Sequence, residues 1–589
     1  MNQNDLTMTP NSKKEADKNN IPSPSSKPRP IRIIWDIKTP MRDGVLLSSD
    51  IYLPQKEGKY PVILQRTPYE NSSKNAVQIG KFFAQHGYVF VWQDVRGRGD
   101  SEGIMDQYGE GQDGFDTIEW IAQQPWSNGK IGMQGGSYGG AVQWDAAREL
   151  PPHLVTITPA SIVSNLMEIV PFTKGIPNLE ELQWEFMVSG KSNQQELLTA
   201  IDWEKVLFHL PLNTMDAQIG KKIPNWQEAL EHPDLDELWK TRRLSERECS
   251  QIKIPMLHIS GWHDDSIMGT LWAYEKLLKF TSNRDQQYLL IGPWNHGGTR
   301  CPKQKLRGID YGTQSVLDMQ EIHLKWFDYW LKGVHNEVAT WKKTQVFMLG
   351  KNEWKQFDDH WPPSDNKSFE FYLSSEGTAN SSKGTGRLLL LPDSVEKKDT
   401  FTYDPKNPVL NYVNFNMHGE DFEGSFEINY VTERDDVLVY TSEPVKNDII
   451  IRGCPILEFH GSSDCVDTDW FATIAEVNNE GKAISFGAAN FGTGCLRARY
   501  RESLSYSKLM VPNQIYKFSL LIDSLFVQIK KGHSIQVIFT SSAFPTFARN
   551  LNTGEKIGYG TDMKIAHNSL HHGGKYQSKL ILPIKTQEK

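Results

Sequence analysis

No run of apolar residues approaches the ~18 that a helix needs to cross a bilayer, and the first thirty residues hold no apolar core of a secretory leader. The chain therefore reads as cytoplasmic, with no membrane partner expected. Cysteine is scarce: Cys249, Cys301, Cys454, Cys465 and Cys495 are odd in number and never fall in Cys-x-x-Cys spacing. That argues against a disulfide framework and against a zinc site, and it fits a reducing compartment. Positive charge is not in excess either. With 64 Lys and Arg against 72 Asp and Glu, mixed along the chain to a net −8, no basic stripe exists to neutralise a phosphate backbone. Nucleic acid is not an expected partner.

What is present is material for several cores. At 589 residues the chain exceeds the roughly 250–300 that one core supports, and 38% of it is hydrophobic. Residues 1–30 are Asn, Lys, Ser and Pro with few apolar side chains, and read as a disordered tail. From 31 to 160, short apolar runs (Pro61 to Leu64, Tyr88 to Trp92, Lys130 to Met133) alternate with helical patterns, which predicts a mainly parallel sheet covered by helices. Arg42-Asp43-Gly44 marks a hairpin within Ile37 to Pro54. Residues 161–249 are rich in Leu, Trp and Glu at helical spacing and read as a helical cap. Residues 250–345 return to the sheet through Pro255 to Ser260 and Gln287 to Ile291. From 346 to 589, many short strand-like runs divided by turns indicate a β-sandwich or jelly roll.

The strongest chemical signal is Gly135-Gly136-Ser137-Tyr138-Gly139-Gly140, set between the apolar run ending at Met133 and the helical Ala141 to Leu150. A serine on a sharp strand-to-helix turn needs small flanking residues because the backbone approaches itself too closely for a Cβ. Gly135 and Gly139 supply that relief. Serine is a poor nucleophile near neutral pH and needs a histidine base steadied by a carboxylate. His263-Asp264-Asp265 follows Pro255 to Gly261, and Asn295-His296-Gly297 follows Gln287 to Ile291, so both lie at strand ends in the order serine, acid, base. Between Asp264 and Asp265 the pattern does not choose, and only one is expected to reach the imidazole. His258 lies inside a strand-like run and is expected to pack. A tetrahedral oxyanion needs two donors: the Tyr138 N–H follows from the turn, and Tyr69, just past Pro61 to Leu64, can offer a phenol or can simply pack. Trp262, Phe172, Trp184 and Phe186 are candidates for the walls of a substrate pocket, with core packing as the alternative for each.

These residues resemble the cocaine-esterase-like branch of the Xaa-Pro dipeptidyl-peptidase superfamily, whose relatives include α-amino acid ester hydrolases and glutaryl-type cephalosporin acylases. The resemblance runs over nearly everything after residue 30. It is carried by Thr67-Pro68-Tyr69, Asp94 to Gly103, Gly135 to Gly140, Gly261-Trp262-His263-Asp264, Gly292-Pro293-Trp294-Asn295-His296, and Ser541 to Pro545 with Arg549-Asn550 and Asn552-Thr553-Gly554. It implies an α/β-hydrolase domain with an inserted helical cap and a C-terminal jelly-roll domain. It further implies a triad of Ser137, Asp264 and His296, an oxyanion hole of the Tyr69 hydroxyl and the Tyr138 N–H, and neither metal nor organic cofactor.

Two departures stand out. His263 occupies a position where the family commonly has Tyr, and Asp264 is followed by Asp265-Ser266-Ile267-Met268 rather than by the acidic cluster that holds a substrate ammonium in the α-amino ester branch. The expected activity is that of a serine hydrolase on a small-molecule ester or amide, through an acyl-enzyme. Xaa-Pro dipeptidyl-peptidase or α-amino acid ester hydrolase activity is the alternative within catalysis, and a binding protein on a hydrolase scaffold is the alternative outside it. Arg96 and Arg98 read as a structural loop rather than an anion site. The sequence does not choose between a monomer and a homo-oligomer.

Overall fold

The computed structural model describes residues 30–585 apart from 70, 72, 165, 419–421 and 487–493. The tail expected over 1–30 thus lies, Pro30 excepted, outside the described residues. The first domain is built on ten strands: β1 (Ile31–Pro40), β2 (Leu46–Pro54), β3 (Tyr60–Thr67), β4 (Val89–Asp94), β5 (Ser127–Gly136), β6 (Leu154–Ala160), β7 (Met256–Gly261), β8 (Gln287–Gly292), β9 (Thr344–Met348) and β10 (Glu353–Phe357). Their order in the sheet is β1-β2-β4-β3-β5-β6-β7-β8-β9-β10. Neighbours from β4 through β9 are parallel, while β1, β2 and β10 join antiparallel. The sheet runs past residue 345, where the sequence changes character, because Thr344–Met348 pairs with β8 before the chain leaves for the second domain.

Both faces of the parallel strands are covered, which is why they read as unbroken apolar runs rather than as alternating ones. Val62, Leu64, Ile131 and Met133 pack on one side with helices α2 (Gly111–Ala122), α3 (Tyr138–Arg148) and α5 (Ile267–Phe280). Ile63, Phe90, Leu257 and Ile259 pack on the other with α1 (Lys74–Gln85) and α6 (Met319–Trp330). The hairpin at Arg42-Asp43-Gly44 joins β1 to β2. Arg96 forks onto Asp113 at 2.7 and 2.9 Å and reaches Asp43 at 2.7 Å. Arg98, fully buried, donates to the carbonyls of Pro68 and Val188. Both arginines thus tie loops together, as the structural reading expects.

Between β6 and β7 the chain forms the cap, with α4 (Glu180–Val188) and the shorter helices Trp203–Phe208, Pro224–Glu231, Glu237–Arg242 and Glu246–Gln251 around a core of Leu182, Trp203, Trp226 and Trp239. The last of these helices starts at a capping box between Ser245 and Glu248. Beyond β10 the chain is a mostly antiparallel β domain whose fourteen linked strands wrap around Phe459, Trp470, Phe518 and Phe539. That core is continuous with Ile291 and Val346 of the first sheet, so the two domains share buried apolar surface.

Candidate active site

Ser137 sits where β5 turns into α3, with φ 60° and ψ −130°, a left-handed conformation that costs a side-chain-bearing residue about 1–3 kcal/mol. Its neighbours show why the sequence is glycine-rich. A Cβ on Gly135 would stand 2.8 Å from the Gly139 carbonyl oxygen, and one on Gly140 would stand 2.5 Å from that of Ala160. The Ser137 N–H donates to the Ala160 carbonyl at 2.9 Å, fixing the turn against the end of β6. Tyr138 opens α3, where an N–H has no intrahelical acceptor. Its phenol points away into the core and donates to Glu110 Oε1 at 3.0 Å, beside the ion pair of Arg66 and Glu110 at 2.7 Å.

Asp264 follows β7 and is fully buried. Its Oδ2 accepts from Ser260 Oγ at 2.7 Å, and its Oδ1 accepts from the Ser266 N–H at 3.0 Å and stands 2.9 Å from His296 Nδ1. Asp265 Oδ1 also lies 3.1 Å from that nitrogen. This corrects the expectation that only one of the two aspartates can reach the imidazole. Ser266 explains it: its N–H holds Asp264 while its hydroxyl donates to Asp265 at 2.9 Å, turning both carboxylates toward His296. Burial alone would lower the His296 pKa, but Asp265 and Asp264 outweigh it and hold the imidazole well above its ordinary value. His263 donates to or accepts from the Tyr311 hydroxyl at 2.8 Å, and His258 packs inside β7 with its pKa lowered to about 4 by burial.

Ser137, Tyr138, Tyr69, Asp265 and His296 line one cavity of about 780 Å³ beneath the cap. Trp184 lines it too, and its indole N–H donates to the Tyr69 hydroxyl oxygen at 2.9 Å. The other proposed wall residues do not. Trp262, 1% exposed, turns away to donate to the Phe347 carbonyl and packs against Trp361; Phe172, also 1% exposed, and Phe186 belong to the cap core.

Glu180, Glu181 and Glu423 line the same cavity and carry no motif by which they could have been foreseen. Glu423 comes from the β domain. Its Oε2 accepts the His296 N–H at 2.8 Å and its Oε1 accepts the Asp265 N–H at 3.0 Å, so one carboxylate clasps both loops. Burial, then repulsion from Asp265, pushes Glu180 and Glu423 well above the usual carboxylate range. Donor atoms of Asp264, Asp265, His296 and Glu423 lie within 4.8 Å of one another, a spacing that suits a small cation. His296 Nδ1 is already engaged by Asp264, so an ion held there would take the imidazole from its carboxylate.

A strained serine at a strand-to-helix turn, under a cap and on a doubly covered parallel sheet, defines the class: a serine hydrolase of the α/β-hydrolase type. Residues 43–298 match the model of the X-Pro dipeptidyl-peptidase (S15) family, and residues 336–581 match that of the X-Pro dipeptidyl-peptidase C-terminal non-catalytic domain. Cocaine esterase of Rhodococcus sp. (strain MB1 Bresler) is 30% identical over 578 residues, spanning 93% of this chain and 98% of that protein. Two solved structures superpose with TM-scores of 0.81 at 23% identity: an aminopeptidase from a marine sediment archaeon, Thaumarchaeota archaeon (98% of this chain, 99% of that one), and an α-amino acid ester hydrolase (96% and 98%). The chain belongs to the cocaine-esterase-like hydrolases and combines an S15 domain with an X-Pro dipeptidyl-peptidase C-terminal domain. Among the described residues no helix is long and apolar enough to cross a membrane.

Proposed function

We propose that the chain hydrolyses carboxylic ester or amide bonds through an acyl-enzyme on Ser137. His296 takes the serine proton and returns it to the leaving group, Asp264 holds the imidazole by Nδ1, and the Tyr138 N–H and Tyr69 hydroxyl receive the oxyanion. The observation that carries this reading is the shared cavity: Ser137 in its strained turn and His296, fastened to buried Asp264, line the same space. The 30% identical cocaine esterase supports an ester among the substrates. Labelling with a fluorescent fluorophosphonate and mapping the adduct tests it. An adduct on Ser137 that is lost in His296→Ala is expected; wild-type ester hydrolysis in Ser137→Ala would sink it.

A second reading, substrates with a free α-amine, gains from one observation. Glu180, Glu181, Asp265 and Glu423 give the cavity several carboxylates where the sequence alone offered only Asp265 beside Asp264. Paired anilides or esters with blocked and unblocked amines separate the two readings, and equal turnover removes this one.

A further inference from the structure

Four basic residues besides histidine line the cavity: Arg148, Arg242, Arg300 and Lys303. Arg148 is paired with Glu248 and Arg242 with Glu228, and Lys303 is likewise engaged. Arg300 differs. It closes the short turn Gly297–Thr299 that follows His296, and its backbone N–H is held by the Gly297 carbonyl. Its Nη1 is buried without a hydrogen-bond partner, and no carboxylate pairs with its guanidinium among the described residues.

The side chain lies against the backbone that carries the nucleophile. A Cβ on Gly136 would stand 2.3 Å from Arg300 Nη1 and 2.7 Å from its Cδ, so glycine at 136 is what lets the guanidinium lie beside Ser137. The backbone at Gly136 is not left-handed, so the glycine there serves space rather than conformation. A buried donor without an acceptor is costly, and a charged one more so. Packing alone would be met by an apolar stem. Nor does Arg300 neutralise the cavity's acids, because Glu180, Glu181, Asp265 and Glu423 line the same space without pairing with it.

We propose that Arg300 is an anion-binding subsite that receives a carboxylate carried by the substrate, on either its acyl or its leaving-group side. The fork of a guanidinium matches a carboxylate in two parallel hydrogen bonds, which lysine cannot reproduce. A substrate carboxylate thereby supplies the partner that the described residues do not. This rests on the serine-hydrolase reading, and the test keeps the two apart.

Two matched pairs of substrates place the charge. 4-Nitrophenyl hexanoate against 4-nitrophenyl hydrogen adipate carries it on the acyl side; phenyl acetate against 4-acetoxybenzoate carries it on the leaving group. In the wild type the carboxylate-bearing member of one pair is expected to have the higher kcat/KM, with the pair identifying the side. In Arg300→Gln that charged-to-neutral ratio is expected to fall roughly ten- to a hundredfold, mainly through KM, the range for a charge-assisted hydrogen bond. Arg300→Lys should restore part of it by keeping the charge. An unchanged ratio in both pairs would overturn the subsite. So would an equal loss of kcat on charged and neutral members, which would place Arg300 at the oxyanion instead. Fluorophosphonate labelling of Ser137 in the wild type reports the serine reading separately, whichever way the ratio moves.

Discussion

The indole N–H of Trp184 donates to the phenol oxygen of Tyr69, joining the cap helix α4 to the loop after β3 at 2.9 Å. Because that oxygen is already an acceptor, its own O–H is free to be aimed into the cavity that both residues line. Tyr69→Phe should therefore lower kcat by about 10²–10³, the usual loss of one oxyanion donor, without unfolding the protein. Trp184→Phe keeps an aromatic ring in the wall but loses the indole N–H that aims the phenol, so a drop of roughly five- to tenfold is expected. Steady-state kinetics on one activated ester measures both, and a Tyr69→Phe enzyme with wild-type kcat would remove the phenol from the mechanism.

The two aspartates at His296 can be ranked in the same way. Asp264→Asn should cost on the order of 10⁴ in kcat, as the loss of a triad carboxylate does elsewhere. Asp265→Asn should cost far less, since Asp264 still holds Nδ1 at 2.9 Å. If Asp265→Asn proves the more damaging, the roles are exchanged.

A pH effect separates them further. The base must be neutral to accept the serine proton, and the neighbouring aspartates hold the His296 pKa above its ordinary value. Activity therefore rises only as pH climbs through that raised pKa. Asp265→Asn removes one of the charges that raise it, so the acidic limb of kcat/KM should move to lower pH. A limb that stays in place would show that Asp265 does not set the titration.

How much of this was legible in the sequence follows from what each residue depends on. The placement of Ser137, Asp264 and His296 could be read because short-range constraints mark it: glycines forced by backbone contact at one, strand ends at the others. The order of layers was legible for the same reason, since runs buried on both faces look unlike capped helices. Trp262 could not be placed, because its direction depends on a carbonyl 85 residues away at Phe347. Glu423 lies 127 residues from His296 in a stretch without motif, and only the packing of the β domain brings it there. Arg300 has no signature except the glycine it needs at 136, which looked sufficient as part of the serine turn.

Stability should depend on a buried cluster behind Ser137. Arg66 is fully buried, pairs with Glu110 at 2.7 Å and donates to Gln93 at 2.9 Å, while Tyr138 donates to the same Glu110. Arg66→Met strands the Glu110 carboxylate and should lower unfolding free energy by about 3–5 kcal/mol, whereas Tyr138→Phe removes one hydrogen bond and should cost about 1 kcal/mol. Urea denaturation followed by tryptophan fluorescence compares them. Equal midpoints for both variants would contradict the ion pair's role.

The clasp of Glu423 on the His296 and Asp265 backbones has a consequence for the order of synthesis. Residues 137, 264 and 296 emerge from the ribosome well before residue 423 does, and the strands that follow that glutamate in the β domain are later still. The growing chain thus carries Asp265 and His296 on loops that the Glu423 clasp does not yet hold. Only when the last third of the polypeptide has been made and folded are those loops locked, which ties competence of the first half to completion of the second.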